Sequence, residues 1–137
     1  MKKRIKLFVA VAALLTAGAV AVAQSANDRL FNAVKNGTAA DVRAAIKEGA
    51  NVNAWDGYGF TALMLAARYR RDTEVIKILV AAGADVNARD RSGWTALMCA
   101  AFWNTDPDVV KALIGAGANV NARDNNGRRA FDYLKDR

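Results

Sequence analysis

The stretch Asp85-Val86-Asn87-Ala88-Arg89-Asp90 comes back 34 residues on as Asn119-Val120-Asn121-Ala122-Arg123-Asp124, and Asn51-Val52-Asn53-Ala54-Trp55-Asp56 precedes it by the same interval. A fixed period of this length marks a stack of small units, each burying its apolar face only against its neighbours. A chain of 137 residues has room for one such domain. The functional question is therefore which surface the stack presents.

Part of the chain lies outside the stack. Met1–Lys6 carries Lys2, Lys3, Arg4 and Lys6 and no acid, Leu7–Leu15 is apolar, and Ala21-Val22-Ala23 has the small-x-small pattern of a cleavage site. This order predicts a secretory signal peptide over 1–23, cut after Ala23 to release a domain of residues 24–137 into the periplasm or beyond the cell. The alternative is an uncleaved membrane anchor. The 21 uncharged residues from Leu7 to Asn27 are long enough to span a bilayer, but Thr16, Gly18 and the alanines make their second half weakly apolar. Gln24 rather than cysteine follows the cut, which argues against a lipid anchor.

Removing the leader lowers the formal net charge of +7 by four, leaving 16 basic against 13 acidic residues. The high pI belongs largely to the export signal, and a nucleic-acid partner is not expected. Cys99 is the only cysteine, so no intrachain disulfide can form and the exported domain depends on its packed core.

Each unit follows from its residues. Thr61-Ala62-Leu63-Met64-Leu65-Ala66-Ala67 and Thr95-Ala96-Leu97-Met98-Cys99-Ala100-Ala101 predict short helices with threonine caps, whose alanines permit close approach between neighbours. A second helix opens after Thr38, Asp72 or Asp106, with Pro107 at the first helical position. Val75, Ile76, Leu79 and Val80 give it a buried face, as do Val109, Val110, Leu113 and Ile114. Gly49, Gly83 and Gly117 end it in the left-handed conformation. An extended Val-Asn-Ala segment then enters a turn spanning Asp56 to Gly59, Asp90 to Gly93 or Asp124 to Gly127.

Here the sequence resembles the ankyrin-repeat family. The match is carried by Ala82-Gly83-Ala84-Asp85-Val86-Asn87-Ala88, by Asp90-Arg91-Ser92-Gly93-Trp94-Thr95-Ala96-Leu97 and by Leu65-Ala66-Ala67, and it covers the chain from about Asp28 onward. The resemblance implies an all-α solenoid of helix-turn-helix units with protruding β-hairpin loops. The units are an N-terminal cap at about 28–55, full repeats at about 56–89 and 90–123, and a truncated C-terminal unit at 124–137. Leu30–Val34 is expected to form the first short helix and Asp132–Lys135 the last. Phe31 and Phe131 match core positions. Several departures are visible. The usual Thr-Pro-Leu-His start is Thr-Ala-Leu-Met, the chain has no histidine, and Met64 and Met98 are expected to fill that space as packing. Arg129 stands where the last unit needs its capping threonine. Both full repeats also carry one extra residue between their helices, in Arg68-Tyr69-Arg70-Arg71-Asp72 and Phe102-Trp103-Asn104-Thr105-Asp106.

Catalytic machinery is not evident. Without histidine the commonest general base and metal ligand is missing. Cys99 aligns with Leu65 and is expected to be a buried hydrophobe rather than a nucleophile. Asp85, Asp90 and Asp124 occupy framework positions where the carboxylate organises a turn. No enzyme activity, cofactor or metal is expected.

Seven of the ten aromatic residues beyond the leader fall where, by the resemblance, ankyrin proteins vary most and touch partners. Trp55, Tyr58 and Phe60 belong to the first loop and Trp94 to the second, while Tyr69, Phe102 and Trp103 end the short helices. Arg68, Arg89, Arg91, Arg123 and Arg128 fill neighbouring positions. Trp, Tyr and Arg concentrate binding energy in interfaces. These twelve residues are the candidate partner-binding surface, for a protein with an acidic and partly apolar patch. Phe60 and Trp94 can equally pack between adjacent repeats, and Tyr69 and Trp103 can cover the lengthened turns; Trp55, Tyr58, Arg89 and Arg91 are harder to explain by packing. The expected function is a monomeric, non-catalytic interaction module. An inhibitor or immunity protein against an exported enzyme or toxin is an alternative role, and a small-molecule or saccharide platform a further one, which grooves rather than closed pockets disfavour.

Overall fold

In the computed structural model, which describes residues 17–135, seven helices alternate between two layers. The first layer stacks α1 (Ala17–Asn36), α3 (Ala62–Tyr69), α5 (Ala96–Trp103) and α7 (Ala130–Lys135). The second holds α2 (Ala39–Lys47), α4 (Glu74–Ala81) and α6 (Pro107–Gly115). Each helix touches its counterpart in the next unit and its partner in its own, so one continuous core runs along the stack. Leu30, Leu63, Ile76, Leu79, Leu97 and Leu113 are fully buried in it, each contributing roughly 1.5–3 kcal/mol by removal from water. The alanines at 62, 66, 67, 96, 100 and 101 are buried where first-layer helices meet.

The helix starts follow their caps. The hydroxyls of Thr61 and Thr95 accept from the N–H groups of Met64 and Met98 at 3.3 and 3.4 Å. The thioether of Met64 returns the contact by accepting from the Thr61 N–H at 3.5 Å, so this methionine does more than fill space. Thr38 and Asp41 form a full capping box. At α6 the Asp106 carboxylate caps and Pro107 opens the helix. Gly49, Gly83 and Gly117 take φ near +100° after the second-layer helices.

Five expectations are corrected. The first helix is not confined to Leu30–Val34: α1 runs from Ala17 to Asn36, through the expected cut after Ala23, while the leader's basic end and its apolar core Leu7–Leu15 lie outside the described residues. Asp72 does not cap α4; the N-cap is Thr73, without a side-chain bond, and Asp72 instead pairs with Arg70 at 3.0 Å. The hairpins are reduced to turns: among the described residues only Trp55 and Thr61 form a β-bridge. Arg129 does not leave the start of α7 unsupported, because the Asp132 carboxylate accepts from the Arg129 N–H at 2.8 Å. Phe131 is 41% exposed and Tyr133 is buried instead. The aligned Leu63 and Leu97 are buried in helices backed by α4 and α6, whereas no second-layer helix follows α7 among the described residues. No described helix is long and apolar enough to cross a membrane.

Candidate functional site

The loops are built on aspartate. One carboxylate oxygen of Asp56 accepts from the N–H groups of Tyr58 and Phe60, both at 2.9 Å. Asp90 does the same for Ser92 and Trp94, and Asp124 for Asn126 and Arg128. A backbone bond from each aspartate N–H, to Phe60, Trp94 or Arg128, closes the turn. One oxygen of each carboxylate is thus committed to its own turn, and among the described residues no group of three or more acids, cysteines or histidines is arranged to hold a metal ion.

The units are pegged together by asparagine. Asn53 donates to the Gly83 carbonyl at 3.0 Å and accepts from the Asp85 N–H at 2.7 Å. Asn87 repeats both bonds to Gly117 and Asn119. The repeated Val-Asn-Ala segment is therefore a connector that spaces the loops at a fixed interval.

On this scaffold the candidate residues separate into three groups. Trp55 and Tyr58, 51% and 78% exposed, stand on the first loop. An open cleft of about 300 Å³ runs from Trp55 to Arg89 and Arg91 on the second loop, with Asp56, Gly59 and Asp90 as the rest of its wall. The Arg91 side chain lies across Gly59, whose φ of +86° and missing Cβ permit the approach. Arg89 and Arg123 are less free than loop-tip residues should be. Arg89 donates to the Arg123 carbonyl on the third loop, and Arg123 donates to the Gly127 carbonyl at 2.8 Å.

The second group is an aromatic cluster. Trp94 runs along α5, its ring centroid 5.5 Å from Phe102, 5.0 Å from Trp103 and 4.8 Å from Tyr133. Phe102 and Trp103 meet edge to face. The Tyr133 hydroxyl donates to the Asp124 carboxylate, and the Arg128 guanidinium lies 4.3 Å over the Tyr133 ring. Burial pushes the Asp124 carboxyl up, but its hydrogen bonds from Tyr133, from the Arg128 and Asn126 N–H groups and from Trp94 outweigh that and hold it below the usual carboxylate range. Burial first, then the Asp124 bond and charge, push the Tyr133 hydroxyl up to about 12. Trp94 and Phe60 are half-buried against the core, so packing explains much of both. Phe102 remains 44% exposed and Trp103 38%.

The third group lies in the lengthened turns. The Arg68 guanidinium sits 4.2 Å from the Trp103 ring centroid and 4.9 Å from that of Tyr69. Two residues not anticipated from sequence belong here. Asn104 is buried, and its amide donates to the Ala67 carbonyl at 2.9 Å while its carbonyl accepts from the Asp106 N–H. Arg71 is exposed on the same rim. Tyr133, in the aromatic cluster, was likewise missed. It aligns with Leu65 and Cys99, so the repeat itself was the signal. Cys99 is buried and its thiol is pushed up to about 12, mainly by burial and then by the Asp90 charge.

Arginine pairing separates these surfaces from the rest of the stack. Arg29, Arg43, Arg70 and Arg129 pair with Glu48, Glu74, Asp72 and Asp132. Arg68, Arg71, Arg89, Arg91 and Arg123 meet no carboxylate among the described residues. A larger cleft, of about 610 Å³ between α2 and α4, involves none of the candidate residues.

A family model described as ankyrin repeats (3 copies) matches residues 10–90 and, in a second, overlapping match, residues 30–124. No curated protein matches the chain.

Proposed function

The chain belongs to the ankyrin-repeat family, whose repeats are general, non-catalytic protein–protein interaction modules, and from that premise we propose that it is an exported binding module of the periplasm or cell envelope. It acts as a monomer once the leader is removed after Ala23. It holds a partner protein through the loop residues Trp55, Tyr58 and Arg91 together with the aromatic face of the first layer. The partner's contact patch is acidic and partly apolar.

One observation carries this reading: exposed aromatics and arginines without carboxylate partners share one set of surfaces, while each loop carboxylate has one oxygen committed to its own turn. Large exposed aromatics beside unpaired guanidinium groups are the composition of an interface centre. Export is supported by the order of basic, apolar and small residues over 1–23.

The experiment is affinity capture from the envelope fraction, with the W55A/Y58A/R91A triple variant as control. The variant is expected to lose the captured partner by about tenfold or more in affinity, with an unchanged thermal midpoint. Wild-type capture by the variant overturns the surface. The mass of the exported protein tests the leader: a start at Gln24 supports cleavage, and a start at Met1 means an anchored protein.

A further inference from the structure

The two lengthened turns face each other across a small cleft of about 150 Å³, lined by Arg68, Tyr69, Arg71, Trp103, Asn104 and Thr105. No acidic residue lines it. The guanidinium carbon of Arg68 lies over two aromatic rings, 4.2 Å from the Trp103 centroid and 4.9 Å from that of Tyr69. Among the described residues neither Arg68 nor Arg71 has a hydrogen-bond or ion-pair partner for its guanidinium. With no hydrogen-bond partner of its own, the Arg68 guanidinium has its planar fork of N–H groups left to match the two oxygens of a carboxylate.

The cleft is fixed before anything enters it. Asn104 ties the second turn to α3 through the Ala67 carbonyl at 2.9 Å and to the first turn through the Arg70 carbonyl, and Arg70 ties the first turn to the Gly37 carbonyl at 2.6 Å. Arg70 is itself paired with Asp72, so it stays out of the cleft's charge balance. The result is two uncompensated positive charges between two half-exposed rings.

We propose that this cleft binds an aspartate or glutamate side chain of the partner protein, presented in an acidic segment with an apolar residue beside it. Arg68 takes the carboxylate through two parallel hydrogen bonds, Arg71 supplies the second charge, and the exposed faces of Tyr69 and Trp103 cover the neighbouring apolar residue. The inference rests on the proposed protein-binding function and names the partner's chemistry at a second point, away from the loop tips.

The test is selection of a twelve-residue random peptide library on phage against the full chain, followed by synthesis of the enriched sequence with its acid intact and with Glu→Gln or Asp→Asn. Wild type is expected to enrich an acidic position beside an apolar one and to lose about tenfold in affinity for the amide peptide. R68Q is expected to bind the acid and amide peptides alike, and R68K to recover only part of the difference. A merely structural role for Arg68 lowers binding of both peptides equally and overturns the inference. So does enrichment without an acidic position, or no enrichment at all, because the cleft is formed in the free chain. The loop surface is judged separately by envelope capture with the W55A/Y58A/R91A variant, so either idea can fail alone.

Discussion

The side-chain amide of Asn104 donates to the backbone carbonyl of Ala67, 37 residues earlier, at 2.9 Å. That bond anchors the lengthened turn of the second full repeat to α3 of the first. Arg70 and Asn104 are the residues that follow α3 and α5, both with extended backbone, ψ of 137° and 133°. Leaving the helix this way lets each side chain reach back to the preceding turn. Arg70 reaches the Gly37 carbonyl as Asn104 reaches that of Arg70.

Asn104→Ala is therefore expected to cost about 2–3 kcal/mol, because it leaves the Ala67 carbonyl and the Asp106 N–H without their partner. Urea unfolding followed by tryptophan fluorescence measures it. A loss below about 0.5 kcal/mol, the scale of an ordinary surface change, would mean that water replaces the amide and that the lengthened turns are not riveted.

The last helix separates two aromatic residues two positions apart. Tyr133→Ala is expected to destabilise by about 3–5 kcal/mol, since the ring packs on Trp94 and Phe102 and its hydroxyl serves Asp124. Phe131→Ala is expected to cost about 1 kcal/mol or less, because its ring is 41% exposed. Equal losses in a matched pair of denaturation curves would show that Phe131 is covered in solution.

How much of this was legible follows from what repeats. Thr61, Thr95, Gly83, Gly117 and the aspartate turns recur in register, and all of them do what their local chemistry requires. Phe131 misled for the same reason: alignment to Leu63 and Leu97 transfers a position but not the helix that covers it. The uses of Asn104 and Arg89 were hidden because each depends on an acceptor 34 to 37 residues away, and no local pattern signals such a distance. Arg68 could be placed near the surface from sequence, but its stacking between Tyr69 and Trp103 needed the register of two turns.

Cys99 is expected to be silent in the native state. Its thiol is buried, and burial holds it at about 12, so the thiolate that reacts is scarce at neutral pH. A chromogenic disulfide reagent at pH 8 should give one equivalent only on adding denaturant. Complete reaction within minutes in native buffer would show that α5 opens readily or that the thiol is accessible.

Gly93 marks where the second and third loops touch. Its φ is +77°, and a Cβ there would come 2.7 Å from the Asn125 side-chain oxygen and 3.0 Å from the Asn125 backbone nitrogen. Asn125 also bonds the carbonyls of Ser92 and Arg91, so it cannot retreat without losing them. Gly93→Ala is expected to cost more than about 1 kcal/mol from the backbone conformation and the displaced contact together. Gly57→Ala, with open space around it and no positive φ, is the control, and equal midpoints for the two variants would remove the argument.

Asp124 and Tyr133 make stability depend on pH at both ends. The Asp124 carboxyl titrates lower in the folded chain than its ordinary 3.8, so the unfolded chain binds the proton first. Its contribution is present above pH 4 and is lost as pH falls through the folded value. Tyr133 runs the other way, raised from 10.0 to about 12: its contribution is complete below pH 10 and disappears as pH rises towards 12. The urea midpoint should therefore fall on both sides of a neutral plateau. Asp124→Asn should lower the plateau and flatten the acid limb, leaving the part owed to Asp41, whose carboxyl is also held low by the Thr38 N–H and hydroxyl. Tyr133→Phe should flatten the alkaline limb and weaken the acid one, because the phenol is among the groups that hold Asp124 low. An acid limb in Asp124→Asn as steep as in the wild type would show that this pair carries none of the pH dependence.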